Sequence, residues 1–489
     1  MNEPLDASQP AVAAPEPTRT GEKAARQPKL RSFFASFSWR ALLLREFTVP
    51  EASLLLMISF FTSAVLGALR QVLFNAQFGV GVEANAYYAA FRLPDTLFNL
   101  IAGGALSSAI IPVLVGTVQR EGEKAGQRLI ALVLTAMMAT LALIVLGLEI
   151  FTPAFVHHLL APGFDEPTAQ LTITLTRIKL LQPLILAIGS VATAILNSRN
   201  QFLLPSLSII TYNFTLIGGI LLARVYSPLG VFGPTLGTVV GAFLQVIILW
   251  PGLSILRGQR YILWDPKDRH LREVVYLLVP NGLSAVVNYA GTIADTAFAS
   301  LTAQLATLPV VYNAVLLANL PVTLLGYAVG LAAFPRLAAR AEAGAWFALR
   351  RLLLLVLGIT CALTLVAIAT IYTIGRPVIR LLFEHGRFDA AAGDLTYAVL
   401  LVYAVGLPVH VATEIITRGL IALRDTRTPL FTNIGQLIGR ATIMALFIEQ
   451  IGIFAIPTAM VVSSALETLV LGIILTYKIQ RRIARLASP

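Results

Sequence analysis

Eleven ionisable side chains fall inside runs of otherwise apolar sequence: Arg70, Arg92, Asp95, Glu149, Arg177, Lys179, Asp295, Glu414, Arg418, Arg440 and Glu467. A charge held at membrane depth is costly, so it faces a cavity or a partner and marks a candidate functional position. Spacing sorts these residues. Arg92 and Asp95 stand three apart on one helical face, flanking Pro94, and Glu414 and Arg418 form an i, i+4 pair with the acid first. Each pair can neutralise itself. Arg177 and Lys179 lie about two turns inside their run, within snorkelling reach of the interface, and Glu149 is near an end. Asp295 and Arg440 sit deep, with no opposite charge nearby in sequence. A salt bridge between their two helices would resolve both costs.

Other chemistry is missing. His157-His158 stands apart from any carboxylate cluster with metal-site spacing, and no G-x-x-x-x-G-K-[ST] sequence occurs, which argues against ATP hydrolysis on this chain. Neither a cofactor nor a metal is expected, and transport would be passive, ion-coupled or driven by the membrane potential. The single cysteine, Cys361, lies in an apolar run and reads as a small packing residue, with no disulfide to form.

The elements that carry these residues are long and apolar. Of 489 residues 57% are hydrophobic and 12% charged, about half the charge of a soluble chain. Runs of about 20 apolar residues suffice to cross a bilayer. They are read at 52–74, 86–116, 129–157, 170–196, 203–224 and 230–256, then at 274–303, 309–334, 350–382, 393–421, 430–448 and 453–477. Residues 1–48, rich in Pro, Ala, Glu and Lys, read as a disordered cytoplasmic tail, with no short apolar core before a cleavage site. With the amino terminus inside, 26 of the 36 Lys and Arg fall in inward-facing segments and four, Arg224, Arg376, Arg380 and Arg387, fall outside. That asymmetry orients a polytopic protein. It also accounts for the net charge of +11 without a nucleic acid partner, and places both termini in the cytoplasm of a multi-pass inner-membrane protein.

Landmarks recur at an offset of about 224: Tyr88 with Tyr312, Pro112 with Pro335, Pro153 with Pro377, Phe164 with Phe388, Asp165 with Asp389, Pro183 with Pro408 and Pro205 with Pro429. Six spans separate the copies, so equivalent helices run in the same direction. The expected fold is all-α: about twelve transmembrane helices in two parallel-repeat six-helix bundles, 49–265 and 266–489, the second ending in a short basic tail. Two facing bundles suit alternating access better than a static scaffold. Pro94, Pro183, Pro321 and Pro408 are expected to kink their helices, and Gly103-Gly104, Gly218-Gly219 and Gly330 to permit bending or close packing.

Several blocks carry a family likeness: SAVLGALR at 63–70, FG at 78–79, ANAYYAAFRLP at 84–94, GALSSAIIP at 104–112, APGF at 161–164, AILN at 194–197 and DTRTP at 425–429. In this order and spacing, over about 52–480, the sequence resembles the MurJ/MviN family, within the superfamily of multidrug (MATE) and polysaccharide-lipid exporters. Members of that family flip lipid II, the undecaprenyl-diphosphate-linked precursor of peptidoglycan, to the outer leaflet. The resemblance implies a basic cavity for the diphosphate and a lateral gap for the lipid tail, with membrane lipids around it and cell-wall synthesis proteins as further partners. Arg70 matches a cavity arginine of the family and Lys179 a basic position before the fourth-helix proline. These two, with Arg92 and Asn99, are the candidate head-group contacts, Arg70 foremost because a guanidinium binds phosphate in a bidentate way.

The sequence also departs from the family pattern. Ala64 replaces a second arginine, Gln71 an acidic residue and Leu316 an arginine of the eighth helix. Phe98, Asn99 and Gly103 stand where the family has a basic pair and a glutamate. Typical members carry two further carboxy-terminal helices, whereas the twelfth span is read as this chain's last. Asp295 matches an acidic position near which some members bind a cation, and Arg440 would place an internal positive charge there. Three readings stay open: a lipid-linked oligosaccharide flippase, an exporter of another, less anionic amphiphile, and a transport-inactive paralogue that binds partners in cell-wall assembly.

Overall fold

The computed structural model describes residues 43–102, 105–254, 262–302 and 307–487. Residues 1–42 of the expected tail, Gly103-Gly104, and the linker positions Arg257 and Arg260 lie outside the described residues.

Among the described residues the chain is helical throughout. The helices are α1 (Val49–Phe78), α2 (Val82–Ala102), α3 (Ala105–Glu121), α4 (Glu123–Phe155), α5 (Glu166–Ser198), α6 (Leu203–Val225) and α7 (Phe232–Leu253). They continue with α8 (Arg269–Ser300), α9 (Thr307–Pro321), α10 (Val329–Glu342), α11 (Trp346–Phe383), α12 (Ala390–Val405), α13 (Leu407–Ala422), α14 (Arg427–Ile451) and α15 (Ala455–Ala487). Where they are described, the residues of the expected spans lie mostly in these helices.

The interruptions have local causes. Proline removes a backbone donor and crowds the preceding turn. Pro321 ends α9 and a π-helical turn, Val322–Ala328, leads into α10. α12 and α13 meet at Gly406 with a bend of 44°, just before Pro408. Pro94 and Pro183 are accommodated within α2 and α5. Glycine does the opposite job between α6 and α7. A β-carbon on Gly219 would collide with the Gly233 carbonyl, so the two backbones touch where any side chain would part them.

Eight helical stretches among the described residues are long and apolar enough to cross a membrane, or nine with α12 and α13 taken as one bent span. One of them, Arg427–Ala484, takes in α14 and most of α15. The expected second and seventh spans are not among them. Of these two helices α2 carries charge along its length, with Glu83, Arg92 and Asp95.

Large apolar side chains cover the outside: Met57 and Phe61 on α1, Leu143 and Phe151 on α4, and Leu365 and Leu381 on α11 are all exposed. Such a surface is normal only where hydrocarbon is the solvent. The largest buried cluster takes Phe74, Phe78, Tyr87 and Tyr88 from α1 and α2. It joins them to Val311 on α9, Phe383 on α11 and Met444 on α14. Residues 44–489 form one compact unit.

Candidate functional site

A cavity of about 270 Å³ opens between α1, α2, α5, α6, α7 and α9. Arg70, Arg92, Asp95 and Asn99 line it, with Gln71, Gln182 and Gln245 and an aromatic wall that includes Phe74, Tyr87, Phe91, Tyr212 and Tyr312. The helical period brings these together. Arg92, Asp95 and Asn99 recur every three to four residues along one face of α2, and on α1 Phe74 follows Gln71 by three residues and Arg70 by four.

The two guanidiniums are held by neutral groups. The Arg70 Nη1 donates to the Asn213 Oδ1 at 3.4 Å, and the Asn213 amide in turn donates to the Ser63 hydroxyl at 2.9 Å. The Arg92 Nε donates to the Thr296 hydroxyl at 2.9 Å, across to α8. Among the described residues neither arginine forms an ion pair. Arg92 and Asp95, read from sequence as neutralising each other, take different partners: the Asp95 carboxylate lies 3.8 Å from the Lys179 ammonium. Lys179 itself is fully buried, its ammonium seated over the Phe91 ring rather than on the cavity wall. Asn99 donates to the Asp95 carbonyl at 2.8 Å.

In the cavity wall Gln71 on α1 joins α2 and α9. Its side-chain amide lies 2.6 Å from the Tyr88 hydroxyl, 2.7 Å from the Asn313 Oδ1 and 3.1 Å from the Asn75 Oδ1. The Tyr88 and Tyr312 rings, a repeat-related pair, meet 4.6 Å apart. Sequence reasoning did not select Gln71, Gln182, Tyr212, Gln245 or Tyr312 as site residues. Tyr88 and Tyr312 were visible only as repeat landmarks and Gln71 only as a missing acid.

A second cavity of about 480 Å³ lies among the last eight helices, lined by Asp295, Tyr403, His410, Glu414, Arg440 and Glu467 among others. Asp295 on α8 and Arg440 on α14 form an ion pair, with 12% and 8% of their side chains exposed. Glu414 pairs with Arg418 at 3.9 Å, and Glu467 accepts a hydrogen bond from Thr432 at 3.2 Å. Near an end of the bundle Arg177 reaches Glu149 at 3.7 Å.

A helical bundle with an apolar outer face and a polar cavity between its helices is the architecture of a membrane transporter. Two solved structures share it. One, titled lipid II flippase MurJ in an inward closed conformation, superposes with a TM-score of 0.71 at 24% identity, over 86% of this chain and 86% of that one. The other, an inward-facing multidrug resistance MATE family transporter of the MOP superfamily, gives 0.72 at 13% identity over 86% and 96%. The family model described as lipid II flippase MurJ matches residues 74–487, and the chain belongs to that family. A probable lipid II flippase MurJ of Rhizobium meliloti is 27% identical over 85% of this chain and 78% of its own length. A lipid II flippase MurJ of Burkholderia cenocepacia is 28% identical over 85% and 82%.

Proposed function

We propose that this chain is a lipid II flippase of the bacterial cytoplasmic membrane. It carries the undecaprenyl-diphosphate-linked precursor from the inner to the outer leaflet by alternating access between residues 49–265 and 266–489, with both termini inside. The observation that carries this reading is the pair of guanidiniums, Arg70 and Arg92, facing one cavity with no carboxylate partner of their own. Two such groups in a site of low dielectric form a receptor for a phosphate-bearing head group, and a diphosphate offers an acceptor to each. Asp95 takes Lys179 as its partner, so it does not cancel that charge. The apolar outer face of the helices is the surface along which the lipid tail travels.

The aromatic wall of the same cavity supports a second reading, export of a smaller and less anionic amphiphile. One experiment separates the two. In cells whose own lipid II flippase can be switched off, the wild-type chain restores growth and Arg70→Ala does not, with insertion verified for both. Failure of a well-inserted wild type would remove the lipid II reading in favour of another substrate or of a partner-binding role in cell-wall assembly.

A further inference from the structure

We infer that two repeat-related glycine contacts are the outer gate of this transporter. At the end of the bundle where α1, α4, α8 and α11 finish, the loop after α11 meets the end of α1. The Arg387 amide donates to the Ala76 carbonyl at 2.8 Å. A β-carbon on Gly386 would collide with that same carbonyl, and one on Gly79 with the Arg387 carbonyl. The loop after α4 makes the corresponding contact with the end of α8. The Gly163 amide donates to the Ser300 hydroxyl at 3.1 Å, and a β-carbon on Gly163 would collide with the Ser300 carbonyl.

Ala76 and Ser300 are separated by the repeat offset of about 224, as are Gly163 and the Gly386-Arg387 turn. The two contacts are therefore copies of one another. The Tyr88–Tyr312 ring pair belongs to the same set, and so does the Leu308 amide donating to Asn85 at 3.3 Å, between residues that are themselves repeat-related.

At the other end the contact across the linker is polar: His270 binds Glu121 at 3.0 Å, beside the Arg128–Asp265 pair at 3.0 Å. The glycine seal has the properties a gate needs. Each contact is close backbone packing plus one hydrogen bond, and both fall off over a short range, so a small tilt of either part breaks them. One charge pair crosses it, Arg387 with Glu83 at 3.7 Å, and both side chains are exposed. Opening therefore strands no buried charge.

The test rests on the transporter reading but not on the substrate. In a Cys361→Ala background, Gln245→Cys reports from the cavity wall. With the seal intact, an impermeant maleimide labels it from the inner side and not from the outer. Adding Gly163→Ala and Gly386→Ala raises outer labelling about tenfold, because each methyl overlaps a fixed carbonyl, and lowers inner labelling. An unchanged pattern in a well-inserted double variant would overturn the inference.

A second chain, Glu83→Cys with Arg387→Cys, covers the case where the glycine variants do not insert. Bridging those cysteines with a short reducible cross-linker stops rescue of flippase-depleted cells, and reductant restores it. Rescue that persists with the bridge formed also overturns the gate. If the chain fails to rescue even unbridged and without the cysteines, the flippase reading fails, while the labelling pattern still reports on the gate.

Discussion

Consider replacing Asp295 by Asn, Arg440 by Gln, and both together. The two side chains pair across α8 and α14, and the remaining Asp295 Oδ1 and Arg440 Nε have no other partner among the described residues. Gly291 makes room for the guanidinium: a β-carbon there would stand 3.1 Å from the Arg440 Nη1. Removing one member of a buried pair strands the other charge and costs about 3–5 kcal/mol. Here the pair lines a cavity of about 480 Å³. Water that enters offsets part of the loss, so each single variant should fall near about 3 kcal/mol. The double variant buries two neutral polar groups and recovers most of it, giving a coupling energy of about 2–4 kcal/mol. Equilibrium unfolding of all four proteins in bicelles, by steric trapping or detergent titration, measures this directly. Additivity within about 0.5 kcal/mol would refute the pairing as an energetic unit.

Three further outcomes follow from the same physical rules. Arg440 already places a positive charge beside Asp295, so thermal stability in detergent should not respond to sodium at constant ionic strength, whereas Arg440→Gln should acquire a sodium dependence; a sodium response in the wild type would show that the arginine does not fill that role. Burial pushes the Asp425 carboxyl up, but hydrogen bonds from Lys478 and Thr428 outweigh it and hold the group at about 2, against an ordinary 3.8. Because the folded-state value is depressed, the stabilisation is fully present above pH 3.8 and is lost as pH falls through about 2. At neutral pH, Asp425→Ala should cost about 1–2 kcal/mol, and a loss no larger at pH 7 than at pH 2 would refute it. Finally, Gly219→Ala should force α6 from α7 and cost about 3 kcal/mol, visible as lost detergent-stable protein, while Gly218→Ala, whose β-carbon meets nothing within 4 Å, should be tolerated.

The sequence was most legible where a single helix decides the outcome. Apolar run length located the helices because a bilayer imposes a fixed thickness on each one separately. The Glu414–Arg418 pair was legible for the same reason, since i, i+4 proximity is a property of one helix. Proline placement anticipated the breaks after Pro321 and before Pro408, though not that one becomes a π-helical turn and the other a bend at Gly406. The repeat offset was read from landmark spacing, and two of its pairs, Tyr88 with Tyr312 and Asn85 with Leu308, lie in contact.

What needed tertiary structure was every statement about which helix faces which. Asp295 and Arg440 could be proposed as partners from their isolation, but only packing of α8 on α14 makes them one. Arg92 and Asp95, adjacent on one turn, turn to different partners, Thr296 on α8 and Lys179 on α5, which only the packing of those helices brings within reach. Lys179 was chosen for its charge, yet its rotation on α5 seats it behind Phe91, off the cavity wall. The aromatic lining and the glycine contacts carried no sequence signal of function, since Tyr, Phe and Gly are common in membrane helices. By itself, then, the sequence determined the solvent and the helices, which depend on local composition and period. Only the tertiary structure decided the cavity, its charge pairing and the seal between the two parts, because each is a distance between residues that the chain holds apart by hundreds of positions.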